Sequence, residues 1–134
     1  MEDQTAAISG DRGFTLIEFL VAIVILMVGM LGLLQTVNLA LNHNVQNQMR
    51  NEAVIVADEQ MAREMAKGFD LASTSTRNFV VSNRRILNAY RNYSVARTGT
   101  TLQNSKQINF VITWRYKGAS YNHGESSVIT KTNQ

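Results

Sequence analysis

Residues 14–34 read FTLIEFLVAIVILMVGMLGLL, and Glu18 is the only charged side chain among them. At about 1.5 Å per residue this stretch makes a helix roughly 30 Å long, which matches the hydrocarbon thickness of a bilayer. A soluble core helix is seldom apolar on every side over such a length. Lipid requires it, because a helix satisfies its own backbone groups where no water is available. The segment reads as a membrane-inserted helix.

The flanks decide what kind of insertion this is. A secretory signal needs a basic start, an apolar run of roughly 7–15 residues and a small-x-small cleavage site. Here residues 1–13 carry Glu2, Asp3 and Asp11 against Arg12, the apolar run is longer, and no Ala-x-Ala follows Leu34. An anchor fits better. Arg12 precedes the segment and the next basic residue is Arg50. The positive-inside bias then places residues 1–13 in the cytoplasm and the rest outside. A carboxylate such as Glu18 costs about 2.5–3.5 kcal/mol at the centre of a membrane helix and less near its end. Either it reaches the headgroups from the first turn or it has a partner, and the residues alone leave both open.

Gly13-Phe14-Thr15-Leu16-Ile17-Glu18 and the apolar run to Leu34 resemble the type III signal sequence of type IV pilins and pseudopilins. Leu-Val-Ala at 20–22 and Gly-Met-Leu-Gly-Leu-Leu at 29–34 are most similar to PilV-type minor pilins. The resemblance implies that a prepilin peptidase cuts between Gly13 and Phe14, that Phe14 is then N-methylated, and that Glu18 is the acid setting filament register. It also implies partners: other pilin subunits through the N-terminal helix, the peptidase/N-methyltransferase, an inner-membrane assembly platform, and lipid before assembly. Phe19 stands where valine is commoner in the family. The chemistry of the residues agrees with these roles. Glycine leaves a cut site unobstructed, and cleavage would free an amine four residues before Glu18. In an apolar filament core that amine could pair with a neighbour's Glu18, a contribution to specificity more than to strength because desolvation offsets the attraction.

Beyond Leu34 the composition turns amphipathic. Val37, Leu41, Val45, Met49, Ala53, Ala57, Met61 and Met65 form an apolar row at spacing four, which winds slowly around a helix. Glu52, Asp58, Glu59, Arg63 and Glu64 read as its solvated face, with Glu59 and Arg63 spaced for an ion pair. Gly68 is the expected stop. A helix from Phe14 to Lys67 would run roughly 80 Å, more than so small a head covers, so part of it must meet lipid or other subunits. Gly29 and Gly32 lie inside the anchor, where the helix either loosens or packs closely.

After Gly68, residues 73–77 read as loop, and 78–82 and 93–97 as short strands. In 107–117, Ile108, Phe110, Ile112, Trp114 and Tyr116 alternate with polar residues, which marks the strongest strand. Residues 117–125 read as a connecting loop and 126–132 as a returning strand. The expected fold class is α+β and pilin-like: a long N-terminal α-helix, transmembrane in its first half, with a small antiparallel β-sheet head. Its parts are a cleaved leader at 1–13, an anchor at 14–34, an amphipathic continuation at 35–67 and the head at 68–134.

The 134 residues allow one small core. There is no cysteine, and His43 and His123 have no ligand set or nucleophile around them. No phosphate loop, metal spacing or catalytic constellation is present, so no cofactor and no enzyme activity are expected. From Leu71 onward nine Lys or Arg face the single acid Glu125. Arg84, Arg85, Arg91, Arg97, Arg115 and Lys117 are therefore candidates for a polyanion or nucleic-acid surface, with Tyr90 and Tyr93 placed to stack on bases. The leading expectation is a minor pilin that supports pilus biogenesis, adhesion, motility or DNA uptake, residing in a bacterial inner membrane with its head periplasmic and then in an extracellular pilus. The alternative is a minor pseudopilin of type II secretion.

Overall fold

The computed structural model describes residues 13–131, so the expectations for residues 1–12 and Thr132 lie outside the described residues. Helix α1 runs Leu16–Met65 and is followed by the single turn α2, Gly68–Leu71. Four strands follow: β1 Arg77–Ile86, β2 Ala89–Thr101, β3 Ser105–Tyr116 and β4 Ala119–Thr130. They form one antiparallel sheet in the order β1-β2-β3-β4. This is the pilin-like α+β plan. The chain divides into two compact units between Ala40 and Leu41.

In the first unit the helix is unbroken through Gly29 and Gly32, since no proline removes a backbone donor. In the second unit, the remainder of α1 lies against one face of the sheet. Met49, Ala53, Val56, Ala57 and Met61 from the helix meet Tyr93, Val95, Ile108, Phe110, Ile112, Trp114 and Ile129 from the strands. Ala53 and Ala57 are fully buried, and their small side chains allow the large strand residues to approach. The Tyr93 hydroxyl donates to the Met49 carbonyl at 3.0 Å, and burial pushes its pKa up to about 12.

The buried stripe departs from the expected row. A spacing of four overshoots the helical period by about 40° each step, so beyond Met61 the row drifts outward and Met65 ends exposed. Val56, Gln60 and Glu64 take its place in the core. Gly68, at φ +72°, ends the long helix as expected, and α2 closes through the Ala72 N–H to the Gly68 carbonyl at 3.0 Å.

Residues 119–125 are not a loop but the first half of a strand paired with β3 from Tyr116↔Ala119 onward. Lys117 and Gly118 make the whole connection, both at positive φ (49° and 83°), the geometry that suits the right-handed twist of a two-residue hairpin. On β1 the register shifts between Val81 and Arg84, where Asn83 adopts φ 61°. The bulge returns Arg84 to the helix-facing side of the sheet.

Gly99 on β2 is set by close approach. A Cβ there would lie 2.7 Å from the Gln107 carbonyl oxygen and 2.9 Å from Thr74 Cα, both backbone atoms. Gly99→Ala is expected to destabilise the second unit by about 1–3 kcal/mol through overpacking. The urea midpoint of the full chain in detergent should fall, whereas Gly124→Ala, whose added carbon meets only the Phe110 carbonyl oxygen at 3.9 Å, should leave it nearly unchanged.

Candidate functional site

The start of α1 carries a reciprocal cap. Thr15 precedes the first helical residue and Glu18 stands three residues on. The Thr15 N–H and the Thr15 hydroxyl both donate to Glu18 Oε2 at 2.9 Å, and the Glu18 N–H donates to Thr15 Oγ1 at 3.3 Å. Two of the backbone donors that a helix start leaves unpaired are satisfied this way. Glu18 Oε1 takes no hydrogen bond among the described residues. Among the described residues the acid thus closes its own helix start through Oε2 alone. Sequence reasoning misses Thr15, although Thr-x-x-Glu before an apolar run is a recognisable capping signature.

Gly13 precedes this cap, and a Cβ placed on it meets nothing within 4 Å. The fold itself places no steric demand for glycine at 13, so a requirement for it must come from a molecule that approaches from outside. Phe14 is 82 % exposed. Phe14, Ile17, Glu18, Val21, Ala22 and Ile25 line a shallow apolar recess. None of the apolar window of α1 is buried, and the helix is long and apolar enough to cross a membrane. Each large apolar side chain left in water forgoes about 1.5–3 kcal/mol. Summed over Leu16 to Leu34 this exceeds the whole stability of a small domain, so lipid or other protein must cover the surface.

The six basic candidates separate into two groups. Arg97 is buried and committed: its guanidinium binds Glu64 Oε1, the hydroxyls of Ser73 and Ser75 and the Ser75 carbonyl. Arg84 bridges Glu52 at 2.9 Å and Glu59 at 2.6 Å. These two hold the helix to the sheet, Arg97 from within the core and Arg84 from a half-buried position. Glu59 consequently pairs with Arg84 rather than Arg63, and Glu64 is a core residue rather than part of the solvated face. Arg85, Arg91, Arg115 and Lys117 are exposed. Arg91 and Arg115 line one recess with Tyr90, Asn92, Ser94 and Thr113, while Lys117 donates to Asn42 Oδ1 at 2.7 Å and Arg85 to the Leu87 carbonyl at 3.2 Å. Tyr93 lies in the core and offers no stacking face.

Two glutamates titrate with opposite consequences. Burial opposes the charge on Glu64, but hydrogen bonds from Lys67 and Ser73 and the charges of Arg97 and Lys67 outweigh it and hold its pKa below the ordinary range. That stability is present above the unfolded pKa and is lost as pH falls through the folded one. For Glu125, burial and the facing Asp58 carboxylate push the pKa up, against a smaller opposing pull from His123. A raised acid pKa contributes stability below the unfolded value and loses it as pH rises through the folded value. Glu125→Gln is therefore expected to raise the Tm of the full chain at about pH 7 and to have a smaller effect near about pH 4, below the raised pKa. Thermal scans at the two pH values check this.

The family model of the prokaryotic N-terminal methylation motif matches residues 8–34. Comparison with curated proteins and with solved structures finds no match. The motif, together with the long apolar helix and the four-stranded sheet, supports a type IV pilin or pseudopilin. It supports membrane anchoring and indicates a structural subunit rather than an enzyme.

Proposed function

We propose that the chain is a minor pilin of the PilV type, made as a membrane precursor and assembled into a type IV pilus through its N-terminal helix. In this reading a prepilin peptidase removes residues 1–13 by cutting after Gly13, Phe14 becomes the methylated first residue, and Glu18 pairs with the amine of a neighbouring subunit. The anchor at 14–34 forms the filament core, and its continuation at 35–67 contacts the head at 68–134 and neighbouring subunits. The head crosses to the periplasmic side first and reaches the cell exterior in the fibre.

One observation carries the proposal. An unobstructed glycine, an acid held at the first turn, and an unburied apolar helix coincide within the stretch that matches the methylation motif. Sheared surface fibres should contain the chain, and its deletion should reduce piliation while protein secretion continues. Loss of secretion with normal pili would instead make it a pseudopilin of a type II secretion system.

A second reading concerns the head. The recess shared by Arg91, Arg115 and exposed Tyr90 favours a polyanion such as nucleic acid, with two cations for phosphates and a ring for a base. Gel shifts with the full chain in detergent across a salt series should show a steep salt slope that Arg91→Gln/Arg115→Gln flattens. Negligible binding at low salt removes this reading.

A further inference from the structure

In the second unit, beside the free edge of β4, a cavity of about 440 Å³ is lined by Gln46, Asn47 and Arg50 from α1 and by Trp114, Tyr121 and Asn122 from the sheet. That volume lies within the range of small-molecule sites, roughly 300–1,000 Å³. Its polar residues are uncommitted. Gln46, Asn47, Arg50 and Asn122 make no side-chain hydrogen bond or ion pair among the described residues, in contrast to Arg84 and Arg97, which are ion-paired to the helix. Its aromatic wall is built rather than incidental. Trp114 is 4 % exposed and stacks on Tyr121 with ring centroids 6.0 Å apart and planes 21° from parallel, while Tyr93 supports the indole from beneath at 6.1 Å. The indole N–H is buried without a hydrogen-bond partner among the described residues, a group that proteins seldom leave so.

We propose that this cavity binds a saccharide bearing a carboxylate, such as a uronic acid residue of an acidic glycan. Three amide side chains each offer a donor and an acceptor, which matches vicinal hydroxyls that do the same. The Tyr121 ring, backed by Trp114, presents an apolar face of the kind that sugar C–H groups cover. Arg50 is the only ionised residue in the lining among the described residues, and its planar fork suits a carboxylate in two-point contact. A nucleic acid fits less well, because a single cation would have to serve successive phosphates. The site is separate from the helix start and goes beyond the assembly role.

Trp114 is the sole tryptophan in the chain, so its emission reports this wall alone. The full chain, held in a detergent without a sugar headgroup, is titrated with trigalacturonate, with neutral maltotriose and with triglutamate, and the same samples are followed by calorimetry. Saturable binding of trigalacturonate is expected, at least about tenfold tighter than for either control. Arg50→Gln should weaken it by about tenfold and Tyr121→Ala should abolish it, while Arg85→Gln, which removes a charge elsewhere on the head, should leave it unchanged. Three results overturn the proposal: no heat and no emission change with trigalacturonate up to ~10 mM, equal binding by the wild type and Arg50→Gln, or triglutamate binding as tightly as the saccharide.

Discussion

Glu18→Leu is expected to leave the chain in the membrane and to remove it from surface fibres. The substitution makes insertion in lipid easier, since it deletes a carboxylate that costs up to about 2.5–3.5 kcal/mol in an apolar segment. A loss of assembly despite better insertion therefore points to a partner for the acid. Two roles compete for that explanation, because Glu18 also closes the cap with Thr15. Glu18→Gln separates them: the amide retains an oxygen for the Thr15 N–H and hydroxyl, so the cap survives, but the charge is gone. The amide variant should be as scarce in sheared fibres as Glu18→Leu. If it assembles like the wild type, the acid acts through its own helix start, a contribution of about 0.5–2 kcal/mol, and the pairing with a neighbour's amine is wrong.

Arg97→Ala is expected to cost the head about 1–3 kcal/mol, because Glu64 would be left buried with only the half-exposed Lys67 and the Ser73 N–H to offset its charge. Small domains have only about 5–15 kcal/mol in total, so the urea midpoint of the second unit should fall steeply and the variant should be cleared in cells. The double replacement Glu64→Met/Arg97→Met removes both charges and fills the same space, and it should recover most of the loss. Recovery distinguishes an uncompensated charge from simple loss of packing. A double variant as unstable as Arg97→Ala alone would show that the bonds from Arg97 to Ser73 and Ser75, and not its charge pairing, hold the loop after α2 against β2.

The apolar helix is fully legible in the sequence because one property, hydropathy without a break, extends over many consecutive residues and needs no knowledge of the rest of the fold. β3 is legible for a similar reason, since its aromatic and branched residues alternate cleanly. β4 is not. As an edge strand it contributes few core side chains, so Ala119 to Ser127 is polar on both faces, and its strand character lies in the Lys117-Gly118 turn and in pairing with β3. The roles of Arg97 and Glu64 depend on elements that are distant in sequence and meet only in the fold. A local trace does exist: Arg97 falls two and four residues after Val95 and Tyr93, on the core face of β2, and Glu64 falls four after Gln60 on the buried stripe of α1. Periodicity places these charges inside, while composition alone places them in solvent. Arg84 leaves no comparable trace, because the bulge at Asn83 changes which face it occupies. At the helix start the glycine, the acid and their spacing are all visible. The chemistry of the carboxylate draws attention to a partner in another molecule and away from its nearer partner, Thr15.

The proposed pilin role requires a cut after Gly13 whose new amine enters a filament with the helix. Intact-mass and N-terminal peptide analysis of the chain recovered from membranes and from sheared fibres tests this most directly. The fibre form should begin at N-methylated Phe14, and Gly13→Val should yield only the longer species, confined to the membrane. Fibres containing the chain with residues 1–13 still attached, or a Gly13→Val variant trimmed at the same bond, would contradict it.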